Sequence, residues 1–254
     1  HDYSHGMPEV LQHRHGPLWK HYANWPPFNY PTHSLSMVVS VTGAYVTQVS
    51  AMGVVDSDPD GLFNGADQFY DNHFSNESML CRMSDGSVAR FNEFRRIGHP
   101  GTVRMSMHGT EASYEQQTGS QIWVTKDRDD LLDLSDLLTC QDIPVDPTDG
   151  MAKLSGSDGT HKGMSQVHPI SRLPKEFVGL RNGHSGSHQF LVHDFVSACV
   201  HGETPPNNVW DAARYLVPGL IAHESARNEG VLMDVPDFGY PSTGKSSSIA
   251  SSAD

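Results

Sequence analysis

The sequence predicts an α+β fold, an open and mainly antiparallel sheet with helices packed on one face. Three observations predict it. Between residues 45 and 125 the chain alternates with period two: Met79, Cys81 and Met83 against Leu80 and Arg82, then Val103, Met105 and Met107 against Arg104, Ser106 and His108. Turn signals at Asp85-Gly86, Gly109 and Gly119-Ser120 punctuate these runs, so successive strands return antiparallel. Two later stretches switch to helical spacing. Val192, Phe195, Val196, Cys199 and Val200 mark one face of the first, and Trp210, Ala213, Val217 and Leu220 mark one face of the second.

Taken in order, one domain is expected over residues 1–241, followed by a tail. Residues 1–30 are rich in Pro, His and aromatics and read as an irregular lead-in. Pro31 suits a first helical position, Leu35, Val38, Val39 and Thr42 mark a face, and Gly43 ends the helix. Residues 45–55 open the sheet. Asp85-Gly86 is a two-residue hairpin signal, and the returning strand runs from Ser87 to Ile97. The hairpins predict about five or six strands. Residues 126–186, acidic and then rich in Gly, Ser, Asp and His, read as a loop-rich insertion. Asn208 is a good N-cap with Asp211 three residues on, Gly230 is a stop, and residues 231–235 read as a short last strand. The Ser-rich residues 242–254 have nothing to bury and read as a disordered tail.

Composition narrows the function classes. The 254 residues are 37% hydrophobic and 19% charged, enough apolar material for a core. A formal net charge of -13 repels a phosphate backbone and an anionic bilayer, so neither nucleic acid nor membrane is expected as a partner. The apolar runs fall far short of the ~20 residues that span a bilayer. Cys81, Cys140 and Cys199 are widely spaced and suggest neither a disulfide framework nor zinc. His1, His5, His13, His15 and His21 cluster near the start. Metal binding is one reading of that cluster, but acidic co-ligands and i, i+4 spacing are missing, so a His-rich loop is the plainer one and no metal is expected. There is no G-x-G-x-x-G after a strand and no βαβ pattern, hence no dinucleotide-binding unit in this sequence. The Asn76-Glu77-Ser78 sequon is read as chance.

Several phrases in this order resemble the C-terminal domain of the glucose-fructose oxidoreductase-like (Gfo/Idh/MocA) superfamily over residues 1–240. They are Tyr30-Pro31-Thr32-His33-Ser34-Leu35, Met83-Ser84-Asp85-Gly86-Ser87, Met107-His108-Gly109-Thr110-Glu111-Ala112, and the helix ending His223-Glu224-Ser225-Ala226. The likeness is closer to the NAD-dependent glycosidases of that superfamily, of which the α-N-acetylgalactosaminidases are the best defined. Tyr3-Ser4-His5 matches their Y-x-H, Tyr30 to His33 their Y-P-T-H, and Pro236-Asp237-Phe238 their P-D-F. Gly183-His184-Ser185-Gly186 resembles their G-H-G-G with one departure. Ordinary dehydrogenases of the superfamily carry Asp four residues before the catalytic His, where this chain has Asn29.

The resemblance implies the substrate half of an NAD(P)-dependent oxidoreductase that moves hydride at a ring hydroxyl of a carbohydrate or cyclic polyol. The alternative it implies is a glycoside hydrolase working by transient C3 oxidation, elimination and water addition; a non-catalytic sugar-binding or structural module is the third reading. It also implies that NAD or NADP is bound mainly by an N-terminal dinucleotide-binding domain. Residues 1–254 alone are therefore expected to be inactive, and the fuller protein to be a homo-oligomer joined through the open sheet face. The chain starts at His1 inside a motif. The cytoplasm is the expected compartment, and a periplasmic or secreted one stays open.

The candidate residues follow from chemistry as well as likeness. His33, in the first turn of the expected helix, can accept a proton from a sugar hydroxyl or C–H and return it; packing at a helix start is the plain alternative. The phenol of Tyr30 becomes a useful base beside a cationic nicotinamide, or else packs as a staple. Tyr3 and His5, two apart, point the same way in an extended stretch and can hold a leaving-group oxygen together. Those four are the expected catalytic set. Asn29, His184 between its glycines, and Trp25 are the expected substrate-binding residues. Trp19 and Phe28 share with Trp25 the rings on which a sugar's C–H face could stack, and core packing is the rival role for each.

Overall fold

The computed structural model describes residues 2–3, 8–99, 101–127, 130–138, 140–144, 160–165, 169–177 and 187–240. Where the sequence reads as one domain through residue 241, the structure divides into two compact units: residues up to 106 together with 209–240, and residues 107–208. The expected tail, 242–254, lies outside the described residues.

In chain order the first unit begins with strand β1 (Asp2–Tyr3) and helix α1 (Pro8–His15), with 3₁₀ turns at Gly16–Tyr22 and Pro27–Asn29. The lead-in read as irregular is therefore largely helical turns. Gly16-Pro17 and Pro26-Pro27 cut it into pieces too short to show a period: α1 has eight residues and neither turn exceeds seven. Helix α2 (Thr32–Thr42), strands β2 (Val46–Val55), β3 (Phe74–Met83), β4 (Val88–Phe94) and β5 (Thr102–Val103) follow.

The second unit carries β6 (Ser106–His108), β7 (Ala112–Gln116), β8 (Gln121–Thr125) and β9 (Leu131–Asp133), adjacent in that order, then the antiparallel pair β10 (Cys140–Pro144) and β11 (Thr160–Ser165) and helix α3 (Ser187–His201). The supposed loop-rich insertion thus supplies strands, β9 completing a four-stranded sheet. Helix α4 (Val209–Arg227) and strand β12 (Met233–Asp234) return to the first unit.

The six-stranded sheet of the first unit runs β12-β2-β3-β4-β1-β5. It is antiparallel except for the two-residue pair of β1 with β4. Its inner face carries Val46, Val49 and Ala51 from β2, Met79, Cys81 and Met83 from β3, and Phe91 from β4. These pack under Leu35 and Val39 of α2, Ala222 of α4, and Phe28. Phe28, Leu35 and Val49 are fully buried, and each such side chain stabilises the fold by about 1.5–3 kcal/mol. Burial pushes the Cys81 thiol up to about 12, so it is a packing group and not a nucleophile. Met52, Val54, Leu80 and Val88 point away and are exposed.

Two local details differ from the sequence reading. The β3–β4 hairpin is a three-residue loop: Gly86 N–H donates to the Met83 carbonyl and Met83 N–H to Ser87, at 3.0 and 2.9 Å. Gly86 alone takes a left-handed φ of 87°, while a two-residue type I′ turn needs both central residues there. Ser87 donates its hydroxyl and its N–H to the exposed Asp85 carboxylate, which holds that carboxyl below its ordinary range.

The second difference is helix rotation. In α4 the buried positions are Arg214, Pro218, Gly219, Ala222, His223 and Ser225, while Leu220 of the expected stripe is 39% exposed. Close approach of the helix backbone and specific hydrogen bonds set this face, not the bulkiest side chains. In α3 the expected stripe is also outward: Val192, Phe195, Val196 and Val200 are 52–73% exposed and Cys199 is exposed. Gln189, Phe190 and Ala198 are buried instead, with Arg172 over the Phe190 ring and paired to Asp194.

Candidate active site

Tyr30 and His33 stand on a turn that three neighbours clamp. In the Pro27–Asn29 turn, Asn29 N–H donates to Pro26 and Tyr30 N–H to Pro27, at 3.0 and 3.2 Å; Leu35 N–H then closes the first turn of α2 on Pro31 at 2.9 Å. Pro31 is the cap and not the first helical residue. From the sheet, Glu77 Oε2 accepts the Phe28 N–H at 2.9 Å and Arg95 Nη2 donates to the Pro27 carbonyl at 3.1 Å. From the other side α4 comes so close at Gly219 that a Cβ there would overlap the Phe28 carbonyl oxygen.

The clamp depends on two carboxylates where a strand's dry face should be apolar. Glu77 and Glu93 sit directly opposite each other across β3 and β4, 1% and 0% exposed. A buried carboxylate needs partners to offset lost hydration. His223 Nδ1 of α4 donates to Glu77 at 2.8 Å. Arg95 pairs with Glu93 at 3.0 Å, and the Ser34 hydroxyl lies 2.5 Å from Glu93 Oε1. Ser34 is the residue after His33. The backbone on both sides of the Tyr30–His33 segment is therefore tied to one buried polar network.

The two expected catalytic side chains meet. Tyr30 Oη lies 3.5 Å from His33 Nε2, and the rings are 5.1 Å apart at 70°. Tyr30 is 36% exposed and His33 half-buried, so both are within reach of a ligand. Trp25 joins them, its ring 5.8 Å from Tyr30. Asn29 is half-buried on the same turn. Tyr3 lies in β1 beside Phe94, with its side chain undescribed. His5 and His184 lie outside the described residues. Phe28 is fully buried in the core and so is not a stacking platform, while half-buried Trp19 packs against the Leu11, Ala23, Leu62 and Phe63 cluster.

Tyr70 was missed, and it stacks on Trp25 at 6.3 Å with the rings 12° apart. Buried Asn24 sets it there: its amide donates to the carbonyls of Tyr70 and Asn72, while the Asn72 amide returns a bond to the Asn24 carbonyl at 2.9 Å. Burial, with Tyr22 nearby, raises the Tyr70 phenol above its ordinary pKa, so it is a neutral donor. Glu77, Glu93 and His223 were missed too. A signal existed, because Glu77 continues the inward period of Met79, Cys81 and Met83 as Glu93 continues that of Phe91. An acid on a dry face is an anomaly worth following. Asp56, Asp58 and Asp60 also converge, on the Arg96 guanidinium. Among the described residues no group of His, Cys, Asp or Glu is placed to hold a metal ion, and no helix is long and apolar enough to cross a membrane.

No protein-family model and no curated protein matches the chain. Solved structures do. A levoglucosan dehydrogenase in complex with NADH and levoglucosan aligns at TM-score 0.55 and 15% identity, over 92% of this chain and 57% of that one. An inositol dehydrogenase homologue from Azotobacter vinelandii, with NADH and myo-inositol, aligns at 0.51 and 13%, over 92% and 54%. An oxidoreductase domain protein from Kribbella flavida aligns at 0.51 and 15%, over 84% and 52%. At these identities the likeness shows the fold alone: these structures share the mixed helix and antiparallel sheet expected from the sequence. The chain spans little more than half the length of these neighbours.

Proposed function

We propose that this chain is the substrate-binding half of an NAD(P)-dependent oxidoreductase acting on a ring hydroxyl of a carbohydrate or cyclic polyol. The observation that carries it is the Tyr30–His33 pair, 3.5 Å apart and open to a ligand on an otherwise buried, clamped turn. The folds that match hold NADH with a sugar or a polyol in two of the three cases, which agrees with this reading. Among the described residues the sheet of the first unit is antiparallel but for one two-residue pair and carries no strand-to-helix phosphate cradle, and NAD or NADP would be held mainly by another part of a longer protein. When bound, the cofactor supplies a hydride acceptor. This chain's residues then bind the sugar on Trp25, orient the hydroxyl between Tyr30 and His33, and take its proton at Tyr30 Oη or His33 Nε2. Tyr3 and His5 complete the catalytic assignment as the pair that holds a leaving-group oxygen, and Asn29 and His184 as further contacts to the sugar.

A glycoside hydrolase is the second reading. Two adjoining proton-handling groups beside Asn29, where a dehydrogenase relay would have a carboxylate, suit C2 proton removal and elimination after transient C3 oxidation. The test is the longer protein assayed on aryl glycosides with catalytic NAD and no added oxidant. Stoichiometric NADH without bond cleavage establishes the dehydrogenase; aglycone release with solvent deuterium entering C2 establishes the hydrolase. In either case His33→Ala is expected to lower kcat by about 10²-fold or more, and a near-wild-type rate removes His33 from the mechanism. Residues 1–254 alone are expected neither to bind NAD tightly nor to turn over; calorimetry showing micromolar binding refutes that. The outward sheet face, with Met52, Val54, Leu80 and Val88 exposed, is assigned to self-association, which light scattering of Leu80→Lys against the wild type tests.

A further inference from the structure

The ring contacts do not stop at Trp25. From Tyr30 the row runs to Trp25, then to Tyr70 stacked upon it, then to Phe69, 4.9 Å from Tyr70, and on to His21, 5.9 Å from Phe69. All of the row belongs to the first unit, with Tyr30 and Phe69 exposed and Trp25, Tyr70 and His21 half-buried. It is a prepared surface: the Asn24–Asn72 amide pair fixes the backbone beneath Tyr70, and Phe69 N–H donates to the His21 carbonyl at 2.7 Å. At its far end Phe69 is 60% exposed, an aromatic ring left in water beside the fully exposed Asp67 carboxylate and the His21 imidazole, 3.6 Å apart.

We propose that this row binds a second sugar ring, so that the substrate is an oligosaccharide or glycoside and not a free monosaccharide. The inference rests on the reading of Tyr30 and His33 as the place of the reacting ring. A pyranose has an apolar C–H face and a hydroxyl edge. It matches flat rings bordered by a carboxylate and a hydrogen-bonding imidazole better than an apolar protein face does, which would call for aliphatic side chains and an uncharged rim. The row starts at the reacting pair and leads away from it, so its occupant is the covalent neighbour of the reacting sugar. Tyr70, the ring next to Trp25, stacks it, and Phe69 with Asp67 and His21 closes its far side.

The test uses isothermal titration and saturation-transfer NMR on the whole chain. The probes are methyl glucoside, methyl galactoside and methyl N-acetylglucosaminide, set against cellobiose, maltose, lactose and chitobiose. At least one disaccharide is expected to bind about tenfold more tightly than the methyl glycoside of its non-reducing sugar. Phe69→Ala should remove about three- to tenfold of that gain, the scale of one aromatic contact, and leave methyl glycoside binding unchanged, while Phe69→Tyr restores it. No disaccharide preference, an equal loss for both classes, or no saccharide binding at all overturns the proposal, including the case in which another part of a longer chain covers the row. Disaccharide binding through Phe69 with no NAD-linked turnover by the longer protein upholds this proposal and refutes the proposed reaction. Turnover of simple methyl glycosides with no disaccharide preference does the reverse.

Discussion

Replacing Glu77 by alanine tests the clamp at its centre. The carboxylate is 1% exposed and serves two donors, the Phe28 N–H at 2.9 Å and His223 Nδ1 at 2.8 Å. Truncation leaves both donors buried without an acceptor, at about 1–3 kcal/mol each, so the expected loss is about 3–5 kcal/mol, the range for breaking a buried pair. Domain stabilities run about 5–15 kcal/mol, so the variant should survive weakened. With a urea slope of about 2 kcal/mol/M its midpoint should fall by about 2 M. Glu77→Gln keeps an acceptor for Phe28 and should lose only about half as much. The direct assay is amide exchange at Phe28, which should accelerate by the factor the lost free energy dictates in Glu77→Ala and much less in Glu77→Gln. A Glu77→Ala protein with an unchanged urea midpoint and unchanged Phe28 protection would refute the argument that this carboxylate holds the turn beneath Tyr30.

Gly219→Ala should cost about 1–3 kcal/mol or more, because its Cβ would collide with the Phe28 carbonyl oxygen and with the Pro31 ring, and backbone cannot step aside cheaply; thermal denaturation measures it, and an unshifted Tm contradicts the close packing. The Asp237 carboxyl carries a pH signature. Burial raises its pKa, but hydrogen bonds from Arg214, the Gly239 N–H and Tyr45, with the Arg214 charge, outweigh that, so the folded pKa is lowered. A lowered folded pKa means stability that is complete above the unfolded pKa of about 3.9 and lost as pH falls through the folded value. Asp237→Asn should therefore be less stable than the wild type at pH 7, with the gap closing below about pH 4; a gap constant down to about pH 2.5 overturns the assignment.

The Tyr30–His33 phrase was legible through the Y-P-T-H resemblance it carries, and with only two residues between them the two side chains lie near each other. The network beneath them was less so. Glu77 and Glu93 announced themselves as acids on a dry period, but their partners lie far along the chain, His223 146 residues from Glu77. Tyr70 carried no local signal, since its place beside Trp25 follows from side-chain amides of Asn24 and Asn72 that mimic strand pairing within a loop. The α3 and α4 stripes failed for a related reason. Hydrophobic spacing assumes that the largest apolar side chains choose the buried face, and in α4 contact is chosen by Gly219, by His223 reaching Glu77, and by the Ser225 hydroxyl accepting the Ala51 N–H.

By itself the sequence determined the class of fold, the strands β2 and β4, the C-terminal half of β3, and the glycine stop of α2. Each depends on period or on the conformational reach of one residue, both of which are local. Only the tertiary structure decided which face each later helix buries, that the acidic stretch after residue 126 adds a strand to a second sheet, and that two opposed carboxylates and a row of rings surround Tyr30 and His33. Those depend on which distant groups can offset the desolvation of a buried charge or amide, and chain separation carries no information about that pairing until the backbone has brought the partners together.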